Sequence, residues 1–198
     1  MAKYGIIILA GGRSSRLGKP KQLLAFENGT LIEHVARQAC DVANARTVVV
    51  SGAVHEEIVR ALAALPVSVV HNPAWAEGMS ASLEAGLSAL LAEEPEVRAC
   101  IMMVCDQPYV DTGLLEKMIF SYEQHAAEIV ACTYADTVGT PALFGAAYFE
   151  NLLNLAGPGG AKKIIAENET NVFYLPFPRG IIDIDTAQDY VTFIAGQS

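Results

Sequence analysis

The stretch Tyr4-Gly5-Ile6-Ile7-Ile8-Leu9-Ala10-Gly11-Gly12-Arg13-Ser14-Ser15-Arg16-Leu17-Gly18-Lys19-Pro20-Lys21 sets the frame for the whole chain. Tyr4–Leu9 is a short apolar run rich in β-branched residues, which reads as a buried strand. The loop Ala10–Lys21 follows it directly. Paired glycines at Gly11 and Gly12 let backbone N–H groups approach a phosphate closely, and Ser14, Ser15, Arg16 and Lys21 add donors and positive charge. Two familiar phosphate signatures do not apply. Gly12 and Gly18 enclose five residues where a P-loop has four, and Lys19 precedes Pro20 instead of Ser or Thr. The GxGxxG dinucleotide pattern is absent as well. A Gly-rich turn carrying surface cations is the lesser alternative for the same residues.

Charge singles out the same segment. The chain has 198 residues, 13 Lys and Arg against 22 Asp and Glu, and a net charge of −9. Residues 1–26 hold Lys3, Arg13, Arg16, Lys19 and Lys21 and no acidic residue, so they carry +5 and leave −14 on the remainder. A cationic island in an acidic protein suits a small polyanion, and the overall balance argues against nucleic-acid binding. At 52% apolar and 18% charged residues a sizeable core is available. The apolar runs Gly5–Ala10 and Ala99–Cys105 are far short of the ~20 residues that span a bilayer, so no membrane partner is expected. Cys40, Cys100, Cys105 and Cys132 stand apart with no metal-binding spacing, which fits a cytoplasmic location. His34, His55, His71 and His125 are scattered and read as surface or packing residues, with His71 the one nearest the expected cleft.

Outward from the loop, strand and helix patterns alternate. Leu31, Val35 and Ala39 share one helical face behind a Thr30 cap. Thr47–Val50 reads as a strand, His55–Ala64 as a helix and Val67–Val70 as a strand. A helix runs from Gly78 to Leu91, with Met79, Leu83 and Leu87 as core positions, and Ala99–Val104 is the next strand. Asp111 caps a further helix. Glu128–Thr133 and Ala142–Phe144 read as strands, residues 146–155 and 161–168 as helices, Asn171–Leu175 as a strand and Thr186–Ile194 as a closing helix. This alternation predicts one α/β domain over 1–198, a three-layer, Rossmann-like, mostly parallel sheet. Ligands in such sheets sit beyond the carboxyl ends of strands, where Gly11–Lys21, Asn72–Ser80 and Asp106–Val110 fall.

The segment LAGGRSSRLGKPKQLL resembles the nucleotidyltransferase signature L-A-(A/G)-G-x-S-x-R-(M/L)-G-x-x-K, and within that group the molybdenum cofactor cytidylyltransferases. The resemblance continues along the chain. Glu77-Gly78-Met79-Ser80-Ala81-Ser82-Leu83 is similar to the family's E-G-M-S-x-S-L, Cys105-Asp106-Gln107-Pro108 to its D-x-P, and Asp183-Ile184-Asp185-Thr186 to its D-I-D-T. It implies a nucleotidyltransferase fold of the glycosyltransferase A-like type, binding a nucleoside triphosphate through Leu9, Ala10, Gly11, Gly12, Arg13, Ser14, Arg16, Lys21, Gly78, Ser80, Ser82 and Asp106. Lys21, Arg16 and Asp106 take the catalytic roles, and Asp106 with Asp185 holds Mg²⁺. Of Asp183 and Asp185, only one is expected to reach the metal, and the family's pattern favours Asp185, the residue before Thr186. Gly139, Thr140, Pro141 and Lys162 resemble acceptor-side elements.

Three departures stand out. Pro158 replaces the family's Asp, Ala187 and Gln188 replace its Pro and Glu, and Leu9–Gly12 has the LAGG form of guanylyltransferase relatives where cytidylyltransferases carry LAAG.

The expected activity is Mg²⁺-dependent transfer of CMP from CTP to the terminal phosphate of molybdopterin with release of pyrophosphate. Transient contact with a molybdoenzyme or its maturation chaperone is implied too. Alternatives are a GTP-using enzyme on the same acceptor, an NADPH-dependent oxidoreductase of the nicotine-blue type, and a non-catalytic module that carries the molybdenum cofactor. The last should have lost Asp106, Asp185 or Lys21, and all three are present.

Overall fold

A computed structural model describes residues 2–12, 14, 17–155 and 160–195. Its centre is β1 (Tyr4–Ala10), seven residues buried without exception. Successive side chains of a strand face opposite ways, and here Ile6 and Ile8 enter one core while Ile7 and Leu9 enter another. A strand covered on both faces has no use for polar positions, which is why its sequence is unbroken apolar.

The remaining elements follow the expected alternation. A two-stranded hairpin, β2 (Ala25–Phe26) and β3 (Gly29–Thr30), leads into α1 (Leu31–Cys40). Thr30 and Glu33 form a reciprocal capping box at its start. Then come β4 (Ala45–Ser51), α2 (His55–Ala61), β5 (Ser68–His71), α3 (Met79–Glu93) and β6 (Ala99–Val104). The second half contains α4 (Thr112–Gln124), β7 (Ile129–Tyr134), β8 (Thr137–Gly145), α5 (Phe149–Leu153), α6 (Ala161–Glu167), β9 (Val172–Pro176) and α7 (Ala187–Ala195).

Seven strands form one sheet in the order β5-β4-β1-β6-β8-β7-β9. β8 runs antiparallel to both of its neighbours, and the other pairings are parallel. Leu31, Ile58, Leu115 and Phe193 from α1, α2, α4 and α7 pack on one face. Leu83, Leu87, Phe149 and Ile164 from α3, α5 and α6 pack on the other. The three-layer, mostly parallel α/β sheet expected from the sequence is therefore present. From β1 the chain builds outward through β4 to β5, then returns to place β6 on the opposite side of β1. That reversal opens a crevice at the carboxyl ends of β1 and β6.

Two differences from the sequence reading have local causes. The β2–β3 hairpin went unread because two-residue strands carry no periodicity. Strand β8 is longer than Ala142–Phe144 and runs through Gly139-Thr140-Pro141. Its ladder with β7 passes from Ala131–Ala142 to Cys132–Gly139, so Thr140 and Pro141 are bulged out of the pairing. A bulge is where a strand tolerates proline, which has no N–H for the ladder.

Helix α3 lies so close to the sheet that a Cβ at Gly86 would meet Ile7 Cγ2 at 2.6 Å and Val50 Cγ2 at 2.7 Å. Alanine there would gain up to about 1 kcal/mol of helix propensity over glycine. Overpacking costs about 1–3 kcal/mol and wins. Gly86→Ala is expected to lower stability by about 1 kcal/mol, a fall of roughly 2–4 °C in Tm by calorimetry.

Candidate active site

Lys21 opens a single 3₁₀ turn, Lys21–Leu23, after the glycine loop. Ser14, at φ 54°, closes that loop, its Oγ accepting from the Lys21 backbone N–H at 2.9 Å. The Lys21 ammonium then donates to two carboxylates: to Asp106, at the end of β6, and to Asp185 Oδ1 at 2.9 Å, on the segment before α7. Burial alone would lower the pKa of this lysine. The Asp106 charge and the hydrogen bonds to Asp106 and Asp185 outweigh it and hold the pKa well above the ordinary lysine value.

Asp185 is held in place by its neighbours. The Ile184 N–H donates to the Asp106 carbonyl at 3.0 Å, and Ile184 itself is 1% exposed. Asp189 Oδ2 accepts from the Asp185 N–H at 3.2 Å and the Thr186 N–H at 2.7 Å, and the Asp189 N–H donates back to Thr186 Oγ1 at 3.2 Å. Helix α7 is in turn anchored by Tyr190, whose hydroxyl donates to the Ala25 carbonyl at 2.7 Å, and by Phe193 stacked on Phe26. Asp183 faces a different cavity. Burial, then the charges of Asp185 and Asp106, push its pKa above the ordinary carboxylate value. Alternation alone would leave the two aspartates on one side of the segment; they part because the chain turns towards α7 after Ile184, so that Asp185 meets Lys21 and Asp183 lines the second cavity.

Two cavities meet at Asp106. One, of about 250 Å³, is lined by Leu9, Ala10, Gly11, Gly12, Lys21, Gln22, Trp75, Gly78, Met79, Ser82, Val104, Cys105 and Asp106. The other, of about 240 Å³, shares Val104 and Asp106 and adds Gln107, Tyr134, Thr140, Gly180, Ile181 and Asp183 among its walls. In the second, Gln107 is the organiser. Its Nε2 donates to the Gly180 carbonyl at 2.9 Å and to the Tyr134 hydroxyl at 3.2 Å, while its Oε1 accepts from Thr140 Oγ1 at 3.0 Å.

Of the residues expected at the nucleotide site, Leu9, Ala10, Gly11, Gly12, Lys21, Gly78, Ser82 and Asp106 share the first cavity. Ser14 and Ser80 do not line it; Ser14 shapes the loop instead. Arg13 and Arg16 lie outside the described residues, as does Pro158. On the acceptor side Thr140 lines the second cavity. Gly139 and Pro141 do not, although a Cβ at Gly139 would collide with Tyr134. Lys162 lines a separate hollow with Thr137, Val138 and Tyr174.

Met79 departs from its expected core role: it is 54% exposed and forms part of the cavity wall. Leu83 and Leu87 are buried as expected. Cys105 is buried too, and burial raises its thiol pKa far above the reactive range. His71 stacks on His55, which hydrogen-bonds Ser51 Oγ at 2.7 Å through Nδ1. Sequence reasoning missed Gln22, Trp75, Gln107 and Tyr134. The first and third were signalled only by lying beside Lys21 and Asp106.

Gly11 and Gly12 share a cavity with Lys21 and Asp106 at the switch point of a mostly parallel sheet, an architecture of the nucleotidyltransferase class. Residues 6–172 match the MobA-like NTP transferase domain, and the chain belongs to that family. It is 25% identical over 197 residues to the Escherichia coli (strain K12) protein named molybdenum cofactor cytidylyltransferase, covering 97% of this chain and 96% of that one. It is 34% identical over 110 residues to a Bacillus thuringiensis (strain Al Hakam) protein named "Probable molybdenum cofactor guanylyltransferase", covering 56% of this chain and about half, 52%, of that one. Among solved structures, Rv0371c from Mycobacterium tuberculosis H37Rv superposes with a TM-score of 0.81 at 31% identity, covering 98% of both chains. The complex of Rv0371c with manganese gives 0.75 at 29% identity, again over 98% of both chains.

The ion triad has a pH signature. The two carboxylates hold the Lys21 pKa above the ordinary lysine value. A base with a raised folded pKa contributes stability that is fully present below its unfolded pKa and is lost as pH climbs through the raised value. Lys21→Met should therefore be less stable than the parent at pH 7, with the gap narrowing above about pH 11, as read from urea unfolding at the two pH values.

Proposed function

We propose that this chain transfers CMP from CTP to the terminal phosphate of a molybdopterin-type acceptor, with Mg²⁺ and with release of pyrophosphate. The observation that carries this reading is the Lys21 ammonium held between Asp106 and Asp185 where the two cavities meet. One cavity has the glycine loop for a triphosphate, the other leaves room for an acceptor, and the shared wall is a carboxylate.

The donor set fits the metal. Among the described residues no three His, Cys, Asp or Glu side chains converge on one point. Two carboxylates already bind a cation, in the form of Lys21. Mg²⁺ takes one or two protein carboxylates and fills its shell with phosphate oxygens and water. Asp106 and Asp185 would hold it, and it would neutralise charge on the reacting phosphates. The known complex of the relative Rv0371c with manganese is in keeping with that assignment.

The acceptor phosphate is anionic near neutral pH and needs no strong base, so the chain's own work is positioning and charge compensation. Gly11 and Gly12 bring backbone close to the donor phosphates, Lys21 supplies a fixed positive charge beside them, and Thr140 and Gln107 shape the acceptor side. Closure of the loop by Ser14 keeps Lys21 aimed at the reacting centre.

CTP is favoured over GTP by the Glu77-Gly78-Met79-Ser80 and Asp183-Ile184-Asp185-Thr186 elements and by near full-length likeness to a cytidylyltransferase. The LAGG form counts less against it than it first suggests. A Cβ at Gly11 would sit 3.3 Å from Ser82 Oγ and 3.4 Å from Trp75 Cβ, so packing alone gives a reason for glycine here.

A thermal-shift titration with CTP, GTP, ATP and NADPH, each with and without Mg²⁺, tests the reading. A ligand at 100 times its Kd adds about 2.7 kcal/mol, roughly 5–10 °C for a domain of this size. The expected result is stabilisation by CTP that requires Mg²⁺ and disappears in Asp106→Ala, together with pyrophosphate release. The same pattern with GTP would change the donor. A shift from NADPH alone, indifferent to Mg²⁺, would overturn the transferase, and near-normal turnover by Asp106→Ala would overturn the metal assignment.

A further inference from the structure

Gln22 is 0% exposed and sits immediately after Lys21 in the same 3₁₀ turn. Its side-chain amide reaches back under the glycine loop, Nε2 donating to the Ala10 carbonyl at 2.7 Å and to the Gly12 carbonyl at 2.8 Å. The orientation of the amide is fixed by chemistry. Both neighbours are acceptors, so only the NH₂ end can face them. Glutamate has at most one hydrogen to offer two carbonyls, and methionine of similar shape has none. Gln22 Oε1 meanwhile has no partner among the described residues. An amide kept at the expense of its own buried oxygen is a poor choice for packing alone, and it secures two carbonyls of one short loop.

We propose that Gln22 is the positioning residue of the phosphate loop. It sets the peptide planes around Gly11 so that the loop presents its amide hydrogens to the donor phosphates. Because a peptide is planar and trans, drawing the Ala10 carbonyl toward Gln22 turns the Gly11 N–H away from it. The Gly12 carbonyl, drawn the same way, fixes the plane on the other side of Gly12. Gln22 and Lys21 thus act from one turn. Lys21 supplies charge, and Gln22 supplies the shape of the backbone that charge works beside. The inference rests on the nucleotidyltransferase reading for its substrate, and on the two hydrogen bonds for its geometry.

The test uses the full chain with Gln22→Met, and inorganic tripolyphosphate with Mg²⁺ as the probe, titrated by calorimetry. The expected result is a loss of at least tenfold in tripolyphosphate affinity and a similar rise in the KM for the nucleoside triphosphate. Ligand-free Tm should change far less than a generally loosened fold would require. Gln22→Asn keeps the amide one methylene short of the carbonyls and gives the same comparison if the methionine variant does not fold. Unchanged tripolyphosphate affinity in a folded variant overturns the inference and leaves the transferase reading standing. Lost affinity in the variants, alongside a parent chain that releases no pyrophosphate from CTP or GTP, keeps the inference and overturns that reading. A parent chain that binds no tripolyphosphate overturns both.

Discussion

The Lys21 ammonium is the point on which three distant parts of the chain converge. Asp106 lies 85 residues away and Asp185 164 residues away, and the carboxylates of both accept from it. Neither carboxylate could occupy that position cheaply without a counter-charge, since like charges in a partly buried crevice raise each other's energy. The cation in turn could not sit there without them, because its ammonium is only partly reached by solvent. The charge asymmetry of the sequence, a +5 segment in a chain of −9, finds its structural meaning in this pairing. The triad holds both signs of charge at the point where the two cavities meet.

The fold was legible because buried parallel strands and amphipathic helices leave strong periodic marks. β1 reads as an apolar run for the physical reason that it is covered on both faces. What stayed illegible was set by contacts rather than period. Met79 has the spacing of a core residue, yet Gly78 enters α3 at φ 123° and the first turn of the helix projects into the crevice. Trp75 lies between β5 and α3 and carries no periodic signal. In the structure its Cβ lies close to both Gly11 and Gly52, so it forms the wall against which the loop is laid.

The site was legible in its charges and glycines and much less so in its neutral polar residues. Lys21 stands out in the cationic segment, and Asp106 and Asp185 stand out through their likeness to the family's D-x-P and D-I-D-T elements. Gln22 and Gln107 do not, because an amide in a sequence can equally be surface. Each turns out to be buried: Gln22 binds two carbonyls of the glycine loop, and Gln107 binds Tyr134, Gly180 and Thr140 from three segments. They serve the two cavities in parallel ways, one tied to the glycine loop at the first and the other joining β8, Tyr134 and Gly180 at the second.

The segment Asp183-Ile184-Asp185 shows how apolar packing places a charge. Ile184 is buried among residues of the same core that holds Ile6 and Ile8, and its N–H is tied to the Asp106 carbonyl. With that residue pinned, alternation along an extended backbone leaves its two neighbours on the opposite side, and their paths diverge as the chain turns into α7. Asp185 comes under the control of the Asp189 cap and meets Lys21, while Asp183 opens onto the second cavity. Shifting the segment by one residue would put a carboxylate into the core and an isoleucine beside the ammonium. The hydrophobic side chain between the two aspartates therefore fixes which of them completes the ion triad.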